Sequence, residues 1–282
     1  MNMMKRIGAV ALTAAVAGTL VLTALAQESE TSVPTAPDGT GAAITVNGTA
    51  LDLTGLPAGW EGLPMRLIAE SDHGSASWFP EENLSSFSIA GAYIQVSFAD
   101  GTVTVDDTLL EGVTAQVVDG VTFLPASVFD GLEGFSVTSE GGSVAITTPN
   151  GAPLVQLAYA VADAANVGYG MSVDAEALTA YGIDGSNFEE VAGFFPMITS
   201  PDTVIVGKVA EGKLDALTEQ LDAYRQQQYD TFSWYLSQNL PKVEDARTVT
   251  SGDYILFLIG ENADAGVAAF ESGVEALQAQ AR

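Results

Sequence analysis

LPMRLIAESDHGSASW (residues 63–78) is answered further along the chain by LPASVFDGLEGFSV (residues 124–137). Each stretch opens on Leu-Pro, passes through a short helix-compatible run, meets a glycine (Gly74, Gly134) and then alternates in the manner of a strand. Proline suits the first helical position, where its missing N–H costs nothing, and glycine suits the left-handed residue that closes a helix. The spacing therefore predicts a helix of one or two turns leading into a strand, used twice.

Around these units, residues 43 to 148 consist of short β-branched runs broken by turn dipeptides: ITVNGTALDL, AYIQVSFADGTVTVDD, TAQVVDGVTFL and FSVTSEGGSVAIT. Asn-Gly, Asp-Gly and Gly-Gly place residues tolerant of positive φ where a hairpin requires them. Most of this segment is thus predicted to be antiparallel strand.

Upstream, Lys5 and Arg6 precede an apolar run from Ile7 to Leu25, and Ala24-Leu25-Ala26 supplies a small-x-small cleavage signal, so residues 1–26 read as a secretory signal peptide. Residues 27–42, QESETSVPTAPDGTGA, are too polar to repay the entropy of ordering and read as a disordered linker. Cleavage would leave 7 − 36 = −29 formal charges on the mature chain. Such a field repels nucleic acid and anionic headgroups, so neither nucleic acid nor, after cleavage, a membrane is an expected partner. With no cysteine in 282 residues there are no disulfides, and each domain must be held by its own core.

Beyond Gly151 the periodicity becomes helical. Leu154, Leu157, Ala158 and Val161 share one helical face, TVIVGKV (203–209) reads as a buried strand, and Leu214, Leu217, Leu221 and Tyr224 form a second helical stripe. That second helix is expected to run on through QQQYDTFSWYLSQNL until Pro241 stops it. Residues 246–250 and 254–260 read as paired strands joined at Ser251-Gly252-Asp253, and Val267, Phe270, Val274 and Leu277 mark a final helix. The fold class that follows is α+β: a β-rich N-terminal module with two short helices, then a domain at 151–282 with helices packed on a small sheet.

The first module, at 43–148, resembles the copper amine oxidase N-terminal-like domain, a stalk domain of secreted and wall-associated proteins of Gram-positive bacteria. The resemblance rests on LPMRLIAE (63–70), the strand carrying Trp78 and the second Leu-Pro helix with its glycine. It departs from the family at Ser127, where an arginine is usual, and at Asp130, near the usual glutamate. The second half is similar to an uncharacterised bacterial domain-of-unknown-function family, through Tyr181-Gly182-Ile183-Asp184, Pro196-Met197-Ile198, the strand VIVGK, Arg225 with Gln228, and Gly252-Asp253-Tyr254. No activity accompanies that second resemblance.

The opening stretch also holds Arg66, the only lysine or arginine from residue 27 to residue 149, and His73, the only histidine of the chain. Arg66 stands one turn before Glu70, the geometry of an intrahelical ion pair worth ~0.2–0.5 kcal/mol when exposed. The alternative is a guanidinium gripping a carboxylate or phosphate with two donors. Against 17 acidic residues in the same segment (1 − 17 = −16), partners within the chain are at hand, and the structural role is the expectation. His73, near a helix C-terminus that favours a cation, reads as a solvated cap.

Several catalytic classes fail on residue types alone. One histidine cannot build the copper site of an amine oxidase or a two-histidine zinc motif, and cysteine catalysis has no cysteine. No Gly-x-Ser-x-Gly elbow and no Ser-x-x-Lys occurs, and neither Gly168-Tyr169-Gly170 nor Gly39-Thr40-Gly41 continues to the third glycine of a dinucleotide fingerprint. Asp100, Asp106, Asp107 and Glu111 crowd a hairpin but fit no calcium loop, and read as turn acids. Carboxylate pairs such as Glu189 and Glu190 match a glycosidase spacing by chance in so acidic a chain. Neither cofactor nor metal is expected.

Tyr229, Phe232, Trp234 and Tyr235 form the densest aromatic cluster. Large aromatics are mostly buried, so the core between helix and sheet is the expected place; exposed, the same rings would stack on sugars or aromatic ligands. The candidate interaction residues are accordingly Arg66, Tyr229, Trp234 and Tyr235. The expected function is that of a secreted, extracellular, non-catalytic envelope-associated protein that acts as a stalk or interaction module, with a cell-wall component or envelope protein as partner. The alternative is an extracytoplasmic hydrolase with paired carboxylates in 151–282, which would show a deep cleft holding two carboxyl groups with raised pKa values.

Overall fold

The computed structural model describes residues 43–280, Ile198 excepted. The signal-peptide and linker readings, residues 1–26 and 27–42, lie outside the described residues. What is described is mixed α and β, β-rich first and helix-covered afterwards, as the sequence predicts.

The first half runs β1 (Ile44–Val46), β2 (Thr49–Ala50), β3 (Leu63–Pro64), α1 (Met65–Ser71), β4 (Ser75–Phe79), β5 (Leu84–Ile89), β6 (Ala92–Ser97), β7 (Thr102–Val105), β8 (Thr108–Leu109), β9 (Gln116–Val118), β10 (Val121–Leu124), β11 (Ser136–Glu140) and β12 (Ser143–Thr147). These form an antiparallel meander β4-β5-β6-β7-β8, a small sheet β3-β10-β9, and a sheet β11-β12-β1-β2. Asn47-Gly48 and Asp119-Gly120 turn their hairpins with φ positive at both residues (50° and 81°; 48° and 79°), the backbone that matches strand twist across a two-residue loop. One pairing is parallel: β1 lies beside β12, with Ile44 opposite Val144 and Val46 opposite Ile146, so the two ends of the segment close on each other.

Both Leu-Pro units form as expected, α1 leading into β4 and a single 3-10 turn over Ala126–Phe129 leading towards β11. Their details differ from the sequence reading. Pro64 and Pro125 are extended and precede the helical residues rather than occupying the first turn. In the first unit the left-handed residue is His73 (φ 58°), not Gly74. Gly74 is required for a different reason, since a Cβ there would stand 2.0 Å from the carbonyl oxygen of Ser88 on β5. Met65, Ile68 and Ala69 form the buried stripe of α1 and join Ile89, Ile94, Phe123 and Trp60 in one core. Trp60 and Phe123 stack within it, centroids 5.2 Å apart.

The second half comprises α2 (Pro153–Ala165), β13 (Met171–Ser172), α3 (Ala175–Ala180), β14 (Phe188–Phe195), β15 (Thr203–Val209), α4 (Leu214–Phe232), α5 (Leu240–Glu244), β16 (Arg247–Ser251), β17 (Tyr254–Ile259) and α6 (Ala263–Gln280). Its antiparallel sheet, β13-β14-β15-β17-β16, is covered on both faces. Val204, Val206, Leu256 and Leu258 pack with α2 and α6, while Ile205, Ile255 and Phe257 pack with α3, α4 and α5. A strand buried on both faces has no polar side to show, which is why β15 and β17 read as continuous apolar runs. Strand β14, FEEVAGFF, is absent from the sequence reading because its two glutamates and Gly193 interrupt any regular alternation. Helix α4 ends at Phe232 instead of continuing towards Pro241, and that proline lies in the first turn of α5 rather than stopping α4. The turn between them carries Leu236 in the left-handed conformation.

The two halves meet at the end of α1. Asp72, 1% exposed, accepts from Asn47 Nδ2 (2.7 Å), Thr148 Oγ1 (2.9 Å) and Asn150 Nδ2 (3.3 Å). The carboxylate thus ties α1 to the first hairpin and to the segment leading into α2. Burial pushes its pKa up to about 6, against the lowering effect of those three donors. His73 is not a solvated cap. Its ring lies on that of Tyr159 of α2, and its Nδ1 stands 3.2 Å from the hydroxyl of Tyr169, which in turn donates to Asp163. Burial lowers the His73 pKa, partly opposed by the charge of Asp163.

Candidate functional site

A groove of about 760 Å³ lies between the meander and the small sheet, within the range of small-molecule sites. Each wall comes from a different element. The outward face of α1 brings Arg66 and Leu67, β4 brings Trp78, β10 brings Val121, and the segment after β6 brings Phe98. Phe87 of β5, almost fully buried, belongs to both groove and core. Trp78 is 47% exposed and meets Phe98 at a centroid distance of 5.8 Å. Strand β4 pairs only with β5, so it is an edge strand, and its consecutive aromatics Trp78 and Phe79 are both exposed.

Among the described residues, Arg66 supplies the only cation of the groove. Its Nη1 lies 3.4 Å from Glu70 Oε1 and 3.4 Å from the carbonyl oxygen of Ala76. The expected intrahelical pair is therefore present, but it is long, one-pronged and half-exposed on both sides. Nε and Nη2 have no hydrogen-bond partner among the described residues. Asp52 also stands at the rim, its Oδ1 accepting from Thr54 N (3.0 Å) and Oγ1 (2.7 Å), and these bonds hold its pKa below the ordinary value. The groove is thus an apolar trough with one guanidinium free to offer a second pair of donors to an acceptor.

The other candidate residues lie elsewhere, in the second half. Phe232 is in the core as expected, but Trp234 is 87% exposed, Tyr235 55% and Tyr229 38%, which corrects the expectation of burial for these three. Helix α4 ends on the buried Phe232, and Trp234 and Tyr235 lie beyond it on the turn that follows. Tyr229 lies apart from the other two, in a depression with Arg225, Val243 and Glu244.

The acidic clusters resolve into local uses. Asp106 Oδ1 accepts from Tyr93 N of the neighbouring strand β6 (2.8 Å), and Asp100 Oδ1 accepts from Thr102 Oγ1 within its own turn (2.8 Å). Glu189 is paired with Lys208 at 2.5 Å, which separates its role from that of Glu190. Among the described residues, His, Asp and Glu side chains gather into no group of three or more able to hold a metal ion. Sequence reasoning missed Trp78, Phe98 and Val121 as site residues. A signal was available for Trp78: two adjacent large aromatics on a strand cannot both face one core.

Residues 164–260 match the model of a domain of unknown function, DUF4358, roughly a third of the chain. The match runs from the end of α2 to the end of β17 and contains the sheet of the second half, but neither the groove nor α6. No curated protein and no solved structure matches the chain.

Proposed function

We infer that this chain is a secreted, non-catalytic interaction protein of the bacterial envelope, and that its first half takes an apolar ligand with an anionic end in the groove beside Arg66. The observation that carries the reading is the pairing of an apolar trough with a guanidinium whose second face is unoccupied. The proposal of secretion rests on the leader-like residues 1–26. The stalk role rests on the resemblance of 43–148 to the copper amine oxidase N-terminal-like domain, whose Leu-Pro helix is here the wall that presents Arg66. A cell-wall component or an envelope protein bearing such a group is the natural partner. The non-catalytic reading is supported by the engagement of His73 in packing and of Glu189 with Lys208, and by the placement of Asp72, among the described residues the one carboxyl raised towards neutrality, inside a structural junction.

Calorimetric titration of the full chain with dodecanoate and with dodecanol, each below its micellar concentration, tests the groove. Dodecanoate binds more tightly; Arg66→Gln removes that preference, and Trp78→Ala weakens both ligands by about tenfold through lost apolar contact. Equal affinity for the two ligands, or binding indifferent to both substitutions, overturns the assignment. Cosedimentation with purified cell wall tests the envelope half of the proposal, and full recovery in the soluble fraction counts against it.

A further inference from the structure

Where α4 ends, two aromatic side chains stand out of the surface, Trp234 at 87% and Tyr235 at 55% exposure. A tryptophan left so fully in water keeps a large apolar ring uncovered. The turn that carries it is nonetheless anchored on both sides. Phe232 is buried just before it and Val243 just after, Ser233 Oγ donates to the Asp230 carbonyl (2.9 Å), and Asn239 Nδ2 donates to the Thr199 carbonyl (3.1 Å). Leu236 holds a left-handed conformation (φ 58°), which a non-glycine residue adopts only where its surroundings hold it there. The rings are therefore presented by a fixed turn.

Beside them the last turns of α4 form an open depression of about 560 Å³ lined by Gln226, Gln227, Asp230 and Thr231, with Ala223 at its edge. Gln226 Nε2 donates to Asp230 Oδ1 (2.8 Å), which orients both groups, while the side-chain amide of Gln227 has no partner among the described residues. Among the described residues, no lysine or arginine lines the depression.

This combination narrows the ligand. A hydrophobic protein partner needs contiguous aliphatic surface, and beyond the two rings only Ala223 offers any. A polyanion or an anionic lipid surface needs cations, and the chain carries a formal charge of −27. A pyranose has an apolar C–H face that lies flat on an aromatic ring and an edge of hydroxyls that exchange hydrogen bonds with amides and carboxylates. We propose that the Trp234–Tyr235 turn is a binding platform for uncharged sugars, with the sugar face on Trp234 and its hydroxyls held by Gln226, Gln227 and Asp230. The platform lies in the second half of the chain and does not depend on the groove beside Arg66.

The test is titration of the full chain with soluble hexamers of β-linked glucose and of β-linked N-acetylglucosamine, alongside cosedimentation with the corresponding insoluble polymers. The expected result is saturable binding of at least one hexamer, with weakening by about tenfold in Trp234→Ala and a smaller loss in Gln227→Ala, at unchanged thermal midpoint. Binding of the hexamers assigns a free oligosaccharide as sufficient ligand; binding of the polymers alone assigns a surface of many chain ends. Binding of neither, or equal binding by the Trp234→Ala variant, overturns the proposal. So does a concentration-dependent dimer, seen by sedimentation and lost in Trp234→Ala, because the ring would then be covered by a second copy of the chain.

Discussion

The imidazole of His73 lies flat on the phenol of Tyr159, ring centroids 3.8 Å apart and planes 7° from parallel. One ring follows α1 of the first half, and the other belongs to α2, the helix that opens the second. The backbone of His73 is left-handed there, so the residue both reverses the chain after α1 and seats the junction.

Replacing His73 separates those two duties. His73→Asn keeps a residue that tolerates the left-handed region and loses the stack, with an expected cost of about 0.5–1.5 kcal/mol. His73→Ala loses the stack and adds backbone strain of roughly 1 kcal/mol more. Urea midpoints of the two variants check this; equal destabilisation would assign the whole effect to the ring.

Asp72 makes stability depend on pH. Its folded pKa, about 6, lies above the ordinary 3.8, so the native state holds the proton more tightly than the unfolded chain. The favourable contribution is full below the unfolded value, declines as pH rises through the folded one, and is absent above it, a difference of up to about 3 kcal/mol. Asp72→Asn is expected to remove this decline between pH 4 and 6.5 (roughly the interval bounded by the two values), as read by thermal midpoints at a series of pH values. His73 acts with the opposite sign. Its folded pKa is depressed, so its contribution is present above the unfolded value and is lost as pH falls through the folded one.

Gly74→Ala forces a methyl group onto the Ser88 carbonyl, 2.0 Å away, and that oxygen belongs to a strand backbone that cannot swing aside. Destabilisation by about 1–3 kcal/mol or more is expected, measured by denaturant unfolding. Gly48→Ala, where open space surrounds the added carbon but φ is 81°, separates steric overlap from strain and is expected to cost less.

The Arg66–Glu70 pair contributes little to stability and competes with the proposed ligand. Glu70→Gln is expected to change the unfolding free energy by less than about 0.5 kcal/mol. The same change should strengthen dodecanoate binding by about twofold, because the guanidinium no longer has to give up a carboxylate. A calorimetric titration showing weaker binding would place Glu70 on the side of the ligand.

Much of the fold was legible in local text. The turn dipeptides at Asn47 and Asp119 appear as hairpins with positive φ, the two Leu-Pro units form the short helical pieces expected of them, and the apolar runs of β15 and β17 lie between two helical layers. These succeed because each depends on backbone geometry or side-chain period over a few residues. Of the candidate site residues, Arg66 was found through its charge, whereas Trp78 and Phe98 were not, because only the approach of two sheets turns them into the walls of one groove.

By itself, then, the amino-acid order determined the fold class of the two halves, the acidity that repels polyanions, and the residue types that bar thiol and multi-histidine chemistry. Tertiary structure alone decided that β1 lies parallel to β12, that His73 rests on Tyr159, and that Trp234 faces water while Phe232 does not. The reason is physical. Local preferences act over a turn or a pleat, but which surfaces meet is set by closing the cores, and that depends on contacts between residues about a hundred positions apart, as in the bond from Asn47 to Thr148.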